Sequence, residues 1–264
     1  MGGWSSADGI AMKISGINPN WTVMFSGSTS PMTALIEAIT ERGNKLRGMD
    51  FRAFARECRR IYMEERKLII ESEVLGDYDI DSYSEYEALR KSDPQFHAKL
   101  KEKVDDAEAD WSLLFAGFDR KKKAHLFTVT GCGRISFCDK EGYAAIGSGA
   151  WRALLALSSY PLKRTLPFSE AIFGVIASKF YAEGAEGVGA ETVLTVLEPK
   201  IKNSPAFWDY RVNSLRKLWA ELPRFPGPQA TEEIWQELTN FQHFGYLKNR
   251  HLTPSVPEKL EMKK

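Results

Sequence analysis

The order in which strand-like and helix-like segments follow one another constrains the fold of this chain more than any other feature. Two short strands are predicted over residues 10–15 and 21–26, and two helices follow them. A run of strands lies between residues 111 and 146, before two more helices and a short strand over 193–197. Because strands and helices form separate runs, the sequence predicts an α+β fold of antiparallel sheets covered by helices, not a parallel Rossmann sheet.

Each of the first two predicted helices carries an apolar stripe at helical spacing. One helix begins at Ser30 and Pro31, an N-cap followed by a residue suited to the first helical position, and ends at Gly43. The other begins at Asp50 and can continue to Leu75. The stripes consist of Met32, Leu35, Ile36 and Ile39 in the first helix, and of Phe51, Phe54, Ala55, Cys58, Ile61 and Tyr62 in the second.

The central strands have the pattern of an antiparallel meander. They are predicted at 111–118, 124–130, 134–138 and 143–146, with polar or glycine-rich turns between them. Helices are expected directly after Gly149 and from Pro167, and a turn over residues 184–189 precedes the last strand.

Two segments do not follow this order. Residues 76–110 are acidic and polar, and they predict a mostly surface insertion with short helices that break at Asp93-Pro94. Beyond residue 200, aromatic-rich helices are expected at 206–220 and after Thr231. The sequence therefore predicts a domain over 1–200 and a helical extension over 201–264.

Charge and cysteine content exclude several classes of function. The 36 Lys and Arg residues against 35 Asp and Glu leave a net charge of +1, so neither nucleic acid nor a membrane surface is expected as a partner. Three cysteines and no secretory leader in the first residues favour a cytoplasmic protein without disulfides. The four scattered histidines form no zinc motif, so no metal and no cofactor are expected.

Two short motifs carry a resemblance to a known family. The first runs from Lys13 through Ile17-Asn18-Pro19 to Gly27, and the second from Tyr143 to Gly149 ends in a Gly-Ser-Gly turn. In this order they resemble the proteasome β-subunit family of N-terminal nucleophile hydrolases. The chain is also similar to bacterial proteasome-like proteins, which share the Ala-Asp-x-Ile-Ala-x-Lys start seen at residues 7–13 and a long helical insertion.

The resemblance implies a fold and a set of site residues. The fold is a four-layer sandwich with two antiparallel sheets between helical layers, here without its first hairpin. Lys13 falls at the position of the catalytic lysine, Gly27 at that of the backbone oxyanion donor, and Ser148 at that of the Gly-Ser-Gly serine. Without the resemblance, the same residues are better explained as a solvated strand lysine, a turn glycine and a helix-capping serine.

The resemblance also implies an activity, with one departure from the family. The family cleaves peptide bonds with an N-terminal threonine, whereas this sequence starts Met1-Gly2 and its first predicted strand already holds the lysine. The glycine-rich turn after Glu183 also lacks the family's Asp and Ser. Two interpretations stay open: a homo-oligomeric peptidase subunit whose start is misplaced and which is inactive as written, or a non-catalytic structural subunit.

Overall fold

The structure is a computed structural model of the chain. It describes residues 13–27, 29–46, 48–108, 111–159, 168–190, 192–197, 206–207, 215–217 and 219–220. These residues form two compact units, of which the first contains residues 1–150 and 197–203, and the second contains 151–196 and 204–264. The predicted boundary near residue 200 stays a prediction.

The first unit is built on a five-stranded antiparallel sheet. Its strands lie side by side in the order β1 Ile14–Asn18, β2 Trp21–Ser26, β3 Ser112–Phe118, β4 Ala124–Thr130 and β5 Arg134–Phe137. Its neighbouring strands are also neighbours in the sequence, and the last three of them are the first three strands of the predicted meander. The turn at Pro19 and Asn20 joins the first two strands, and the Asn18 side-chain oxygen accepts a hydrogen bond from the Asn20 backbone N–H at 3.0 Å.

Two helices, α1 Thr29–Gly43 and α2 Phe51–Ile70, pack on one face of this sheet. The predicted apolar stripes of both helices face the sheet, since all of their residues except Phe51 are buried and Phe51 packs against the same cluster. The sheet contributes inward side chains that lie side by side in register, such as Val23, Phe115 and Phe127. The predicted start of α2 is confirmed, since the Asp50 carboxylate caps it by accepting a hydrogen bond from the Arg52 N–H. The α1 helix begins at Thr29, one residue before the predicted N-cap Ser30.

The predicted insertion forms a helical hairpin of α3 Tyr83–Ser92 and α4 Pro94–Glu108. The break falls at Asp93-Pro94 as predicted, because the Asp93 carboxylate caps α4 and proline occupies its first position. The hairpin is more than a surface feature. It shares a second apolar core with the end of α2 and the helical turns that follow it, which consists of Ile70, Leu75, Ile80, Tyr86, Leu100 and Val104.

The second unit contains two helices and a pair of short strands. α5 Ala150–Ser159 begins at the predicted position after Gly149, and α6 Phe168–Ala182 matches the predicted helix. The strands β6 Leu194–Thr195 and β7 Ala206–Phe207 pair in an antiparallel manner. Residues 215–217 and 219–220 are helical.

Three expectations about the secondary structure are wrong. Residues 143–146 form no strand, because an alternating segment needs hydrogen-bonded neighbours and none pairs with it in the described part of the chain. The predicted strand 193–197 is reduced to Leu194–Thr195. The helix expected from residue 206 does not start there, since residues 206–207 pair with β6 and strand pairing overrides their local preference. The helix expected after Thr231 lies outside the described residues.

Candidate functional site

Lys13 lies at the open end of the β1–β2 pair. Its backbone carbonyl accepts a hydrogen bond from the Phe25 N–H at 3.0 Å, which extends the pairing of the two strands by one position beyond Ile14. Residues directly opposite each other in an antiparallel pair carry their side chains on the same face of the sheet. The lysine side chain is exposed, whereas Phe25 is buried. Lys13 therefore offers an accessible ammonium group at the border of the apolar core.

Gly27 follows directly after β2 and turns the chain away from the sheet. Its φ is +115°, a backbone conformation that side-chain-bearing residues rarely adopt. A glycine is required at this position for the turn itself, which is the simpler of the two explanations that the sequence left open. The turn leaves Gly27 half-buried beside Ser26, the last residue of β2.

The Gly147-Ser148-Gly149 turn packs against the same end of β2. A Cβ atom placed on Gly147 would lie 3.3 Å from the Ser26 Cβ, so the two backbones are nearly in contact. Gly147 has a φ of +91°, and its carbonyl accepts a hydrogen bond from the Ala150 N–H at 2.9 Å. This bond leads the chain from the turn into α5. Ser148 is exposed at the tip, and Gly149 is buried.

The structure thus brings the three predicted site residues to one end of one strand. Lys13 pairs with Phe25, Gly27 follows Ser26, and the turn that carries Ser148 rests on Ser26. Such an arrangement can place a positive charge and a backbone donor near one point, which is what a developing oxyanion needs. The catalytic roles of the three residues stay predictions.

A second polar cluster, centred on His125, was missed by the sequence analysis. The His125 Nδ1 lies 2.6 Å from an Asp139 carboxylate oxygen, and its Nε2 lies 3.2 Å from Asp119. Phe51 stacks on the imidazole ring with 3.8 Å between the ring centroids. A signal was present in the sequence, because period-two alternation in β4 places His125 on the same inward face as Phe127.

The His125 cluster fastens two loops of the sheet. The second carboxylate oxygen of Asp139 accepts a hydrogen bond from the Leu126 N–H, and Asp119 accepts bonds from the N–H groups of Lys121 and Lys123. Both ring nitrogens of the histidine are therefore engaged by carboxylates. We assign the cluster a structural role, because a general base needs a nitrogen that is open to substrate.

The charge of Asp119 is expected to stabilise the fold at neutral pH. Burial opposes the charge, but hydrogen bonds from the Lys123 N–H and His125 hold the pKa of Asp119 below its ordinary value. A lowered pKa in the folded state stabilises the protein above the unfolded-state pKa of about 4, and this stabilisation is lost as the pH falls through the folded-state pKa.

Asp119→Asn should therefore lower the free energy of unfolding by about 1 kcal/mol at pH 7. The difference from wild type should shrink steadily below about pH 4. Urea unfolding at pH 7 and at acidic pH measures both values, with the exposed Asp77→Asn as the control. A difference that grows as the pH falls would contradict this assignment.

In the second unit, Glu183 holds the predicted glycine-rich turn in place. Its carboxylate accepts two hydrogen bonds from Arg216, at 2.5 and 2.9 Å, and one from Lys179 at 2.6 Å. Burial opposes ionisation, but these two cations lower the pKa of Glu183. Lys179 and Arg216 also donate to the carbonyls of Gly189 and Ala190. Glu183 therefore has a structural role, because it pairs with the two cations that bind the carbonyls of the turn.

No protein-family model matches the chain, and no curated protein matches it. Within the described ranges, none of the helices combines the length and the apolar character of a bilayer-crossing segment. Among the same residues, no group of three or more His, Cys, Asp or Glu side chains is placed to hold a metal ion.

Proposed function

We propose that the chain is a proteasome-like subunit of the N-terminal nucleophile class, related to threonine-type peptidases. The observation that carries the proposal is the convergence of Lys13, Gly27 and the Ser148 turn at one end of β2. Lys13 and Gly27 belong to one hairpin, whereas Ser148 is far from both in the sequence, and the resemblance assigns all three to one site. The antiparallel sheet with α1 and α2 on one face agrees with half of the four-layer sandwich of this class.

In the proposed reaction, the hydroxyl or thiol of an N-terminal Thr, Ser or Cys attacks the carbonyl carbon of a peptide bond. Its proton passes through the α-amine to the leaving amine, and water later hydrolyses the ester or thioester. The Lys13 ammonium favours the ionised nucleophile by its charge, and the Gly27 N–H donates to the oxyanion. Among the described residues β1 is an edge strand, so its outer edge can pair with the strand that carries this nucleophile.

Homo-oligomeric assembly is part of the proposal. The α5 helix exposes three large apolar side chains at helical spacing, Trp151, Leu154 and Leu155, and two of them are more than 60% exposed. Apolar groups of this size clustered on one helix face are typical of contacts between subunits. The solution mass of the protein from its native host is therefore expected to be a multiple of its chain mass.

A peptidase assay with variants of Lys13 tests the proposal. The 264-residue chain made from Met1 should not cleave fluorogenic peptides, because neither Met1 nor Gly2 supplies the nucleophile. Protein purified from its native host should cleave them. In that form, Lys13→Ala should lower kcat/KM by about 100-fold or more, as expected for the loss of one electrostatic contact in the transition state.

Lys45 provides the matched control for this assay. It is also an exposed lysine, but it lies after α1 and not on the β1–β2 pair. Lys45→Ala should leave kcat/KM unchanged. The expected mechanism would be contradicted if the chain made from Met1 cleaved the peptides and Lys13→Ala abolished that cleavage. Inactivity of the native form, with assembly intact, would favour the non-catalytic structural subunit.

A further inference from the structure

A cleft of about 640 Å³ opens between α2, the α3–α4 hairpin and the β4–β5 turn of the first unit. Its volume lies within the range of small-molecule sites, which is about 300–1,000 Å³. Its walls include Arg66 from α2, Tyr83 and Tyr86 from α3, and His97 and Lys101 from α4. None of these residues belongs to the site at the end of β2, so the cleft calls for its own explanation.

Arg66 supplies a buried positive charge in this cleft. The residue is only 6% exposed, although a charged side chain is costly to remove from water. Its Nη1 donates a hydrogen bond to the Tyr83 hydroxyl at 3.3 Å, and its guanidinium lies 5.7 Å from the centre of the Tyr83 ring. The planar guanidinium has five N–H donors whose geometry matches the paired oxygens of phosphate and carboxylate groups.

His97 supplies a polar atom that the described residues leave unsatisfied. Its ring stacks on Tyr86 with 4.8 Å between the centroids, which fixes the plane of the imidazole. The Nε2 atom is buried, and no hydrogen-bond partner for it exists in the part of the chain that the structure describes. Such an atom costs about 1–3 kcal/mol unless a ligand or a water molecule pairs with it.

The wall of the cleft carries charged residues of both signs. The described lining contains three cations, Arg66, Arg90 and Lys101, against two carboxylates, Glu87 and Asp105. Lys101 and Asp105 form an ion pair with each other.

We propose that this cleft binds a small molecule through a phosphate or carboxylate group, which is held by the Arg66 guanidinium and by the Nε2–H of His97. The tyrosine rings of Tyr83 and Tyr86 form the apolar walls beside that group. The proposal is independent of the hydrolytic site, since it uses α2, α3 and α4 and none of the residues at the end of β2.

Titration with inorganic phosphate and, separately, with acetate at constant ionic strength tests this proposal. The full chain should bind at least one of the two anions saturably, with a Kd in the range of about 0.1–10 mM in isothermal titration calorimetry. Saturation by phosphate alone assigns the site to phosphate compounds, and saturation by acetate alone assigns it to carboxylates. Absence of saturable binding of both anions would overturn the proposal and leave water as the occupant.

Three variants decide which residues hold the anion. His97→Phe keeps an aromatic ring against Tyr86 but removes Nε2, and it should weaken binding about tenfold. Arg66→Gln should weaken it about 100-fold. Arg60→Gln, which changes an exposed arginine of the same helix, should have no effect. If circular dichroism shows that Arg66→Gln is unfolded, His97→Phe decides alone, and unchanged affinity in that variant would overturn the proposal.

Discussion

Replacing Phe127 by alanine is expected to lower the free energy of unfolding of the first unit by about 3–5 kcal/mol. Phe127 is fully buried at the centre of the sheet. It stacks on Phe115 with 4.5 Å between the ring centroids and also contacts the rings of Trp21 and Phe54. Removing the ring leaves a cavity. The surrounding elements β3, β4 and α2 cannot move in to fill it, because hydrogen bonds hold each of them in place.

Phe137→Ala provides the matched control for this change. Phe137 lies opposite Phe127 in the register of β4 and β5, but β5 is the last strand of the sheet and the side chain is 42% exposed. Removing the Phe137 ring should lower the free energy of unfolding by about 1 kcal/mol, since this ring buries less apolar surface on folding than the Phe127 ring does. Urea unfolding followed by circular dichroism measures both values. Equal losses for the two variants would mean that the ring cluster is not the centre of the core.

The second large effect is expected at Gly117 in β3. A Cβ atom at this position would lie 2.3 Å from the Asn20 carbonyl oxygen and 2.5 Å from the Trp21 ring. The carbonyl oxygen belongs to the backbone of the β1–β2 turn, so it cannot rotate away as a side chain can. Gly117→Ala should therefore destabilise the first unit by about 3 kcal/mol, the upper end of the range for overpacked cores.

Gly16→Ala is the control for Gly117. Gly16 lies in β1, and no atom is found within 4 Å of the position that its Cβ would take. The added methyl group should be neutral or slightly stabilising, because alanine has less conformational freedom to lose on folding. The unfolding midpoints of both variants in urea give the comparison. If Gly117→Ala left the unfolding midpoint unchanged, the turn between β1 and β2 would not pack against β3 as described.

The parts of the fold that could be predicted are those in which local patterns decide the structure. The stripe from Met32 to Ile39 faces the core, and the Asp93-Pro94 break separates α3 from α4. Both outcomes follow from short-range periodicity and capping. Residues 143–146 and 206–207 depart from the prediction, because the presence or absence of a strand partner decided their structure.

The candidate sites show the same division. The spacing from Lys13 to Gly27 spans one hairpin, so the Asn18–Asn20 turn fixes which residues pair, and their proximity follows from the sequence. The contact of Gly147 with Ser26 depends on how a distant loop folds back. The cleft around Arg66 could not be predicted either. It forms only when the α3–α4 hairpin and the distant β4–β5 turn both lie beside α2.

The N-terminal residue and the intact mass of the protein from its native host decide between the hydrolase and the non-catalytic subunit. The proposal that the chain belongs to the N-terminal nucleophile class predicts a mature chain that begins with Thr, Ser or Cys and that still contains Lys13, with a mass above 29.8 kDa. A mature chain that starts at Met1 or Gly2 would contradict the hydrolase proposal and leave the non-catalytic structural subunit.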